Sequence, residues 1–204
     1  MPESLDLDLL IADLADRGFA SVPDLLRRDQ LEALAAEARE SWQSGEFHRA
    51  GVGRGAEERP EIRGDHVAWL DPDNLSPAQR AYWDFVDAFR RECNRHLYLG
   101  LADFEAHFAI YPPGAFYRRH RDRFESEGRR TLSCLLYLNQ DWLPDHGGAL
   151  RLYPKDEDGQ ERQLEIRPEA GTFVVFRSDS LEHEVLVAHR ERLSLTGWLR
   201  RAAA

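Results

Sequence analysis

Apolar positions recur at helical spacing in three stretches of the N-terminal half and at two-residue spacing through most of the C-terminal half. Leu5, Leu7, Leu9, Leu10, Ile11 and Leu14 alternate with acids and predict an amphipathic helix over residues 4–17, closed by Gly18. A short strand-like run follows at 19–23. Asp29 is placed to cap a second helix with the stripe Leu31, Leu34, Ala35, Ala38 and Trp42, stopping near Gly45. Ser76 and Pro77 supply an N-cap and a first-turn proline for a third, whose stripe is Tyr82, Phe85, Val86, Phe89, Cys93 and Leu97 and which ends by Gly100.

Beyond Gly100 the runs shorten to strand length: 104–111, 116–120, 131–138, 149–153, 162–166, 172–176, 184–187 and 193–199. Helices first and strands afterwards predict an α+β fold whose sheets form a sandwich or distorted barrel. At 204 residues the chain suits one domain, 1–204, with helical support over 1–100 and a β core over 101–200. Periodicity is lost across 47–73, where Gly51, Gly53, Gly55 and Gly64 sit among charges until His66 to Leu70. A loop of that length is either a mobile lid or a solvated surface excursion.

Two strands also divide into faces. Arg192, Ser194, Thr196 and Trp198 oppose Leu193, Leu195, Gly197 and Leu199, and Thr131, Ser133, Leu135 and Tyr137 oppose Leu132, Cys134, Leu136 and Leu138. The first set of each pair suits the lining of a ligand cavity, and the apolar set suits packing under the N-terminal helices.

Candidate chemistry lies on these strands. His120 and Asp122, two apart, share a face in an extended strand, and His183 comes later beside another apolar run. Two imidazoles and one carboxylate on one side of a metal, the other side open, suit non-haem Fe(II). Arg192 suits an anionic co-substrate because guanidinium grips carboxylate in a fork. A tight turn at His189, Arg190 and Glu191 would set His183 and Arg192 along one wall, with Tyr137 and Thr196 adding hydroxyls. The remaining histidines, His48, His66, His96, His107, His146 and His189, lack such partners and read as structural or solvated. Arg118, Arg119, Arg121, Arg123, Arg129 and Arg130 form either an exposed face or an attractor for an acidic protein segment.

Composition narrows the options. Twenty-seven basic against 37 acidic side chains give a net charge of −10, which argues against nucleic-acid and acidic-membrane partners. Two cysteines, Cys93 and Cys134, exclude a disulfide framework and read as buried thiols. The N-terminus has no basic leader or cleavage pattern, and no stretch approaches the ~20 apolar residues of a membrane span, so a cytoplasmic location is expected.

His120-Arg121-Asp122, His183 and Arg192 resemble the iron triad and co-substrate arginine of Fe(II)/2-oxoglutarate dioxygenases, built on a double-stranded β-helix of jelly-roll or cupin-like kind. Tyr137-Leu138-Asn139-Gln140-Asp141-Trp142, Gly147-Gly148-Ala149-Leu150-Arg151 and the run Arg192 to Trp198 resemble the prolyl 4-hydroxylase branch. Ile62-Arg63-Gly64-Asp65 with Trp69-Leu70 is similar to the substrate-gripping loop of the oxygen-sensing prolyl hydroxylases and their bacterial relatives. The likeness spans residues 62–199. It implies that His120, Asp122 and His183 bind Fe(II), that Arg192, Tyr137 and Thr196 bind the distal carboxylate of 2-oxoglutarate, and that Tyr111 lies beside its other end. It also implies that Arg63, Asp65 and Trp69 order a lid and that Arg130 and Trp198 lie near substrate. The expected reaction consumes O2 and 2-oxoglutarate, gives succinate and CO2, uses ascorbate as a candidate reductant, and hydroxylates a proline in an exposed loop of a protein such as elongation factor Tu. A free amino acid or metabolite substrate, and a non-catalytic cupin-like metal module, are the competing expectations. Tyr117, three residues before His120, falls on the opposite face unless 112–116 bulges. Oligomeric state is not encoded in any of these motifs.

Overall fold

The computed structural model describes residues 6–51, 57–122 and 128–202. Helix α1 (Leu7–Arg17) begins where the Asp6 carboxylate accepts the N–H groups of Asp8 and Leu9, and ends at Gly18, at φ 75°; predicted positions 4 and 5 lie outside the described residues. Strand β1 (Phe19–Val22) follows. Helix α2 (Arg28–Ser44) starts before its expected cap. Asp29 instead takes the Arg27 side chain at 3.0 and 2.8 Å, and the Gln30 side chain accepts the Arg27 backbone N–H at 3.1 Å. Helix α3 (Pro77–Leu97) starts as the sequence predicts, the Ser76 hydroxyl accepting from the Gln79 N–H at 3.1 Å and Gln79 reaching back.

The strands are β2 (His48–Arg49), β3 (His66–Trp69), β4 (Leu101–Tyr111), β5 (Tyr117–His120), β6 (Arg130–Tyr137), β7 (Leu150–Leu152), β8 (Leu164–Ile166), β9 (Phe173–Arg177), β10 (His183–Val185) and β11 (Arg192–Arg201). They form a seven-stranded sheet, β1-β9-β6-β11-β4-β3-β2, and a four-stranded sheet, β5-β10-β7-β8. Every named pairing is antiparallel. The segment expected to be a loop therefore contributes two strands, because β3 completes the edge of β4 and β2 pairs with β3. Gly53 and Gly55 of the expected lid lie outside the described residues.

The two faces of the large sheet do different work. Leu132, Cys134, Leu136, Leu138, Leu193, Leu195 and Leu199 join Leu14, Leu34, Tyr82, Phe85 and Phe89 of the helices in one buried cluster. This is the packing of helices on the major sheet that alternation in β6 and β11 predicted. A second cluster, including Leu135, Leu150, Leu152, Val174, Phe176 and Val185, joins the two sheets and leaves a cavity between them. No described helix is long and apolar enough to cross a membrane.

Candidate active site

The cavity holds about 450 Å³ and its wall draws on both sheets. His120 closes β5 and His183 opens β10, and antiparallel pairing sets the two directly opposite. Asp122 lies two residues past the end of β5, in a bend, so strand alternation does not aim it. The opposite sheet holds it instead: its Oδ2 accepts the Ser133 hydroxyl of β6 at 2.6 Å and the Trp198 indole N–H of β11 at 2.9 Å. Its Oδ1 lies 3.4 Å from His120 Nε2 and 3.6 Å from His183 Nε2. Ligand atoms of the three residues all fall within 4.8 Å of one another, the one such His, Cys, Asp or Glu group among the described residues.

The protonation states suit metal ligation. His120 Nδ1 sits 2.7 Å from the Arg118 carbonyl and His183 Nδ1 3.4 Å from that of Leu181. Each carbonyl calls for a proton on Nδ1 and leaves Nε2 with a free lone pair. Burial, reinforced by the neighbouring His120, lowers His183 to about 4, so it is neutral near pH 7. Burial would raise the Asp122 carboxyl, but His183, His120 and the Ser133 hydroxyl together hold it well below the usual carboxylate range.

Tyr117 reaches this site by a different route from the one foreseen. His183 pairs with His120 while Val185 pairs with Tyr117, so β5 carries an extra residue within the strand and not in 112–116. The bulge stacks Tyr117 on His120 with ring centroids 3.5 Å apart. Arg63 also lies over the phenol ring, its guanidinium carbon 4.2 Å from the ring centroid.

Arg192 opens β11 opposite Tyr111 of β4. It is 1% exposed, and its Nε donates to the Gly148 carbonyl at 2.8 Å. Its guanidinium carbon lies 4.8 Å from the Tyr111 ring centroid and 5.0 Å from that of Tyr137. One terminal nitrogen of Arg192 and the Tyr137 hydroxyl have no hydrogen-bond partner among the described residues. Burial raises the Tyr137 phenol while the Arg192 charge opposes that, so the hydroxyl remains a donor. Gly148, at φ 65°, makes the approach possible: a Cβ there would stand 3.0 Å from Arg192 Cδ.

His183 and Arg192 do not lie along one wall. His183 belongs to the four-stranded sheet and Arg192 to the seven-stranded sheet, so they face the cavity from opposite sides. The expected tight turn is a crossover, because Ala188 N–H bonds to the Ala115 carbonyl and Ala188 bridges to Gly147 before β11 begins.

Other expected residues gather at the same cavity. Thr196 lines it, its hydroxyl 3.2 Å from that of Ser194. Arg63 grips the buried Asp65 through two contacts of 2.7 and 2.5 Å. Arg130 stacks over Trp198 at 3.5 Å and donates to Glu105 at 2.9 Å. Trp69, half exposed, meets the His107 ring edge-on at 4.8 Å.

His48 and His107, expected to be structural or solvated, line the cavity. Burial, only partly offset by Asp65, lowers His107 to about 3, and its Nδ1 is unpaired among the described residues. Sequence reasoning also passed over Ser133, although alternation placed it on the Tyr137 face, and Ser178, which lies past the end of β9 where no period points to it. The arginine run is largely satisfied internally: Arg119 pairs with Glu161 and Glu182, Arg121 with Glu182, Arg129 with Asp103, and Arg118 with the Glu61 carbonyl. Arg123 lies outside the described residues.

Two imidazoles and one carboxylate converging in a cleft between two antiparallel sheets, with a buried guanidinium in the same cleft that has one terminal nitrogen without a partner among the described residues, define a mononuclear metal site with a place for an anionic co-substrate. Residues 106–200 match the family model described as the 2OG-Fe(II) oxygenase superfamily. The chain is 45% identical to a Pseudomonas putida prolyl-4-hydroxylase of known structure, covering 97% of this chain and 100% of that one with a TM-score of 0.86. A Trichoplax adhaerens prolyl hydroxylase, solved in complex with a hypoxia inducible factor oxygen degradation domain peptide fragment, is 28% identical over 95% of this chain and 88% of that one, with a TM-score of 0.87. Human Egl nine homolog 1 is 29% identical over 203 residues, covering 95% of this chain and 46% of that protein. The chain thus spans about half the length of that curated relative.

The chain belongs to the 2OG-Fe(II) oxygenase superfamily, in which Fe(II) and 2-oxoglutarate are the cofactors, and is similar to prolyl 4-hydroxylases. Its residues fit both groups. The His-Asp-His donor set suits Fe(II), and the orphaned Arg192 nitrogen and Tyr137 hydroxyl leave a buried cation and a donor for a carboxylate.

Proposed function

We propose that this protein hydroxylates a proline in an exposed loop of a protein substrate at C4, with a translation factor such as elongation factor Tu as the first substrate to test. In this reading His120, Asp122 and His183 hold the iron. Arg192 and Tyr137 take the distal carboxylate of 2-oxoglutarate, with Thr196 contributing beside them and Tyr111 lying towards its other end. Arg63, Asp65 and Trp69 order the approach of the substrate segment, and Arg130 and Trp198 flank it. With O2, the bound iron and 2-oxoglutarate would supply the oxidant for placing hydroxyl on an unactivated C–H, one oxygen atom going to the product and one to succinate, with release of CO2; ascorbate is a candidate reductant for returning oxidised iron to Fe(II) outside this cycle.

The chain's own contribution is orientation and exclusion of water. Burial and the paired rings keep both imidazole Nε2 atoms on Asp122 Oδ1, so three donors aim at one point without rearrangement. Arg192, enclosed by Tyr111, Tyr137 and Gly148, presents its charge to a co-substrate in a dry pocket. The cavity, of about 450 Å³, is lined on its polar and aromatic side by Arg63, Trp69, His107 and Arg130.

The observation that carries the reading is the pairing of the His120, Asp122, His183 cluster with Arg192 in one cavity. Relatives named as prolyl hydroxylases, one of them solved with a peptide, support a peptide substrate. The test is mass spectrometry of a host proteome with and without the protein, searching for prolines heavier by one oxygen atom. A single proline modified only when the protein is present is the expected result. Oxidation of a free metabolite with no protein hit would overturn the protein-substrate reading.

A further inference from the structure

The outer oxygen of Asp122 is more tightly engaged than the one facing the imidazoles. Oδ2 accepts two donors, Ser133 Oγ at 2.6 Å and Trp198 Nε1 at 2.9 Å, whereas Oδ1 has the two imidazoles at 3.4 and 3.6 Å. Ser133 in turn lies 2.8 Å from the Ser178 hydroxyl, and both serines are fully buried. Proton counting sets the direction of this relay. A hydroxyl has one proton, and an ionised carboxylate has none to give. Ser133 must spend its proton on Asp122, so Ser178 donates to Ser133. The chain runs from Ser178 to Ser133 to Asp122, every link pointing at the same oxygen.

The second donor is held just as firmly. The Trp198 ring lies under the Arg130 guanidinium at 3.5 Å, and Arg130 is fixed by Glu105 at 2.9 Å. Ser133 and Trp198 are cross-strand partners in the pairing of β6 with β11. One rung of the seven-stranded sheet therefore delivers both donors to a residue that sits past the end of a strand in the other sheet.

We propose that Ser133, Ser178 and Trp198 are positioning residues that clamp Asp122 Oδ2 and so force the carboxylate to offer only Oδ1 to the metal position. With Oδ2 saturated by two donors, the carboxylate cannot turn both oxygens towards the point on which the imidazoles converge, and the open side of the site stays open. Bent backbone at Asp122 supplies no such constraint; the opposite sheet does. The inference rests on the assignment of His120, Asp122 and His183 as Fe(II) ligands.

The test is anaerobic Fe(II) titration, with the visible spectrum of the Co(II)-loaded protein as a readout of ligand geometry, on Ser133→Ala, Trp198→Phe, their double variant, Ser178→Ala and Ser133→Thr. Trp198→Phe keeps a ring under Arg130 and removes only the N–H. Loss of outer hydrogen bonds to metal ligands weakens binding by roughly 10–100-fold. The double variant is expected to lose Fe(II) affinity in that range and to change the Co(II) spectrum, Ser178→Ala to fall between parent and Ser133→Ala, and Ser133→Thr to restore both readouts. A folded double variant with parental Fe(II) affinity and spectrum overturns the clamp, as does Ser133→Thr behaving like Ser133→Ala. If Asp122→Ala itself leaves Fe(II) affinity unchanged, it is the ligand assignment that fails, so the two failures are separable.

Discussion

At the scale of single residues, Arg192 carries the strongest demand. A buried guanidinium with no carboxylate beside it among the described residues is costly, and the fold tolerates it because Gly148, Tyr111 and Tyr137 enclose it until an anion arrives. Removing one partner of a buried charge pair costs about 2–5 kcal/mol. Arg192→Ala is therefore expected to raise the 2-oxoglutarate requirement at least tenfold, and to abolish the thermal stabilisation that 2-oxoglutarate gives the metal-loaded parent. Equal stabilisation of variant and parent in a melting experiment would move the anchor elsewhere. Asp122 makes the complementary case. Asp122→Ala should end succinate formation while the far-ultraviolet circular dichroism stays native, since the residue lies outside the strands and both hydrophobic clusters. Continued succinate formation would remove Asp122 from the metal.

At the scale of elements, the strands show what a sequence can and cannot carry. Alternation in β6 and β11 divides cavity from core correctly because side-chain direction is a local property of an extended backbone. Tyr117 escaped that reasoning because a bulge turns it, and Asp122, foreseen beside His120, reaches that place although it lies beyond its strand. The placement of His183 and Arg192 in opposite sheets was not legible, because which sheet a strand joins depends on pairings between residues far apart in the chain. Two histidines, His48 and His107, looked unemployed for the same reason. The helices were legible to within a few residues, and α3 offers a clean measurement. The Tyr82 hydroxyl is buried and unpaired among the described residues, and its phenol is raised by burial. A buried unsatisfied polar group costs about 1–3 kcal/mol. Tyr82→Phe should thus leave the unfolding free energy from urea denaturation unchanged or raise it, whereas a loss of more than about 1 kcal/mol would reveal a partner for the hydroxyl.

At the scale of the molecule, closing two sheets over a cavity also sets how the protein responds to acid. Two imidazoles end up enclosed there and neutral: burial lowers His107 to about 3, and burial together with His120 lowers His183 to about 4. Their ordinary value is 6.5. Below about pH 6.5 the unfolded chain binds protons that the folded protein refuses, so stability must fall as pH falls. Each such imidazole contributes a slope of about 1.4 kcal/mol per pH unit once its unfolded form is fully protonated, until the folded group itself titrates. Asp122, held below the usual carboxylate range, adds a further loss at lower pH, where the unfolded carboxylate takes up a proton first. The metal-free protein should therefore lose stability steadily from about pH 6.5 down towards 4, where the His183 contribution ends and that of Asp122 takes its place. His107 isolates the contribution of the enclosed cavity because it is not among the three metal-directed residues. Replacing it with phenylalanine keeps an apolar ring between Trp69 and Trp198 and removes the titrating group. Denaturant unfolding of His107→Phe at a series of pH values should give a slope between pH 6 and 4 shallower than that of the parent by about 1 kcal/mol per unit. Parallel curves would mean that the imidazole is already protonated in the fold, and that the cavity admits water and charge freely.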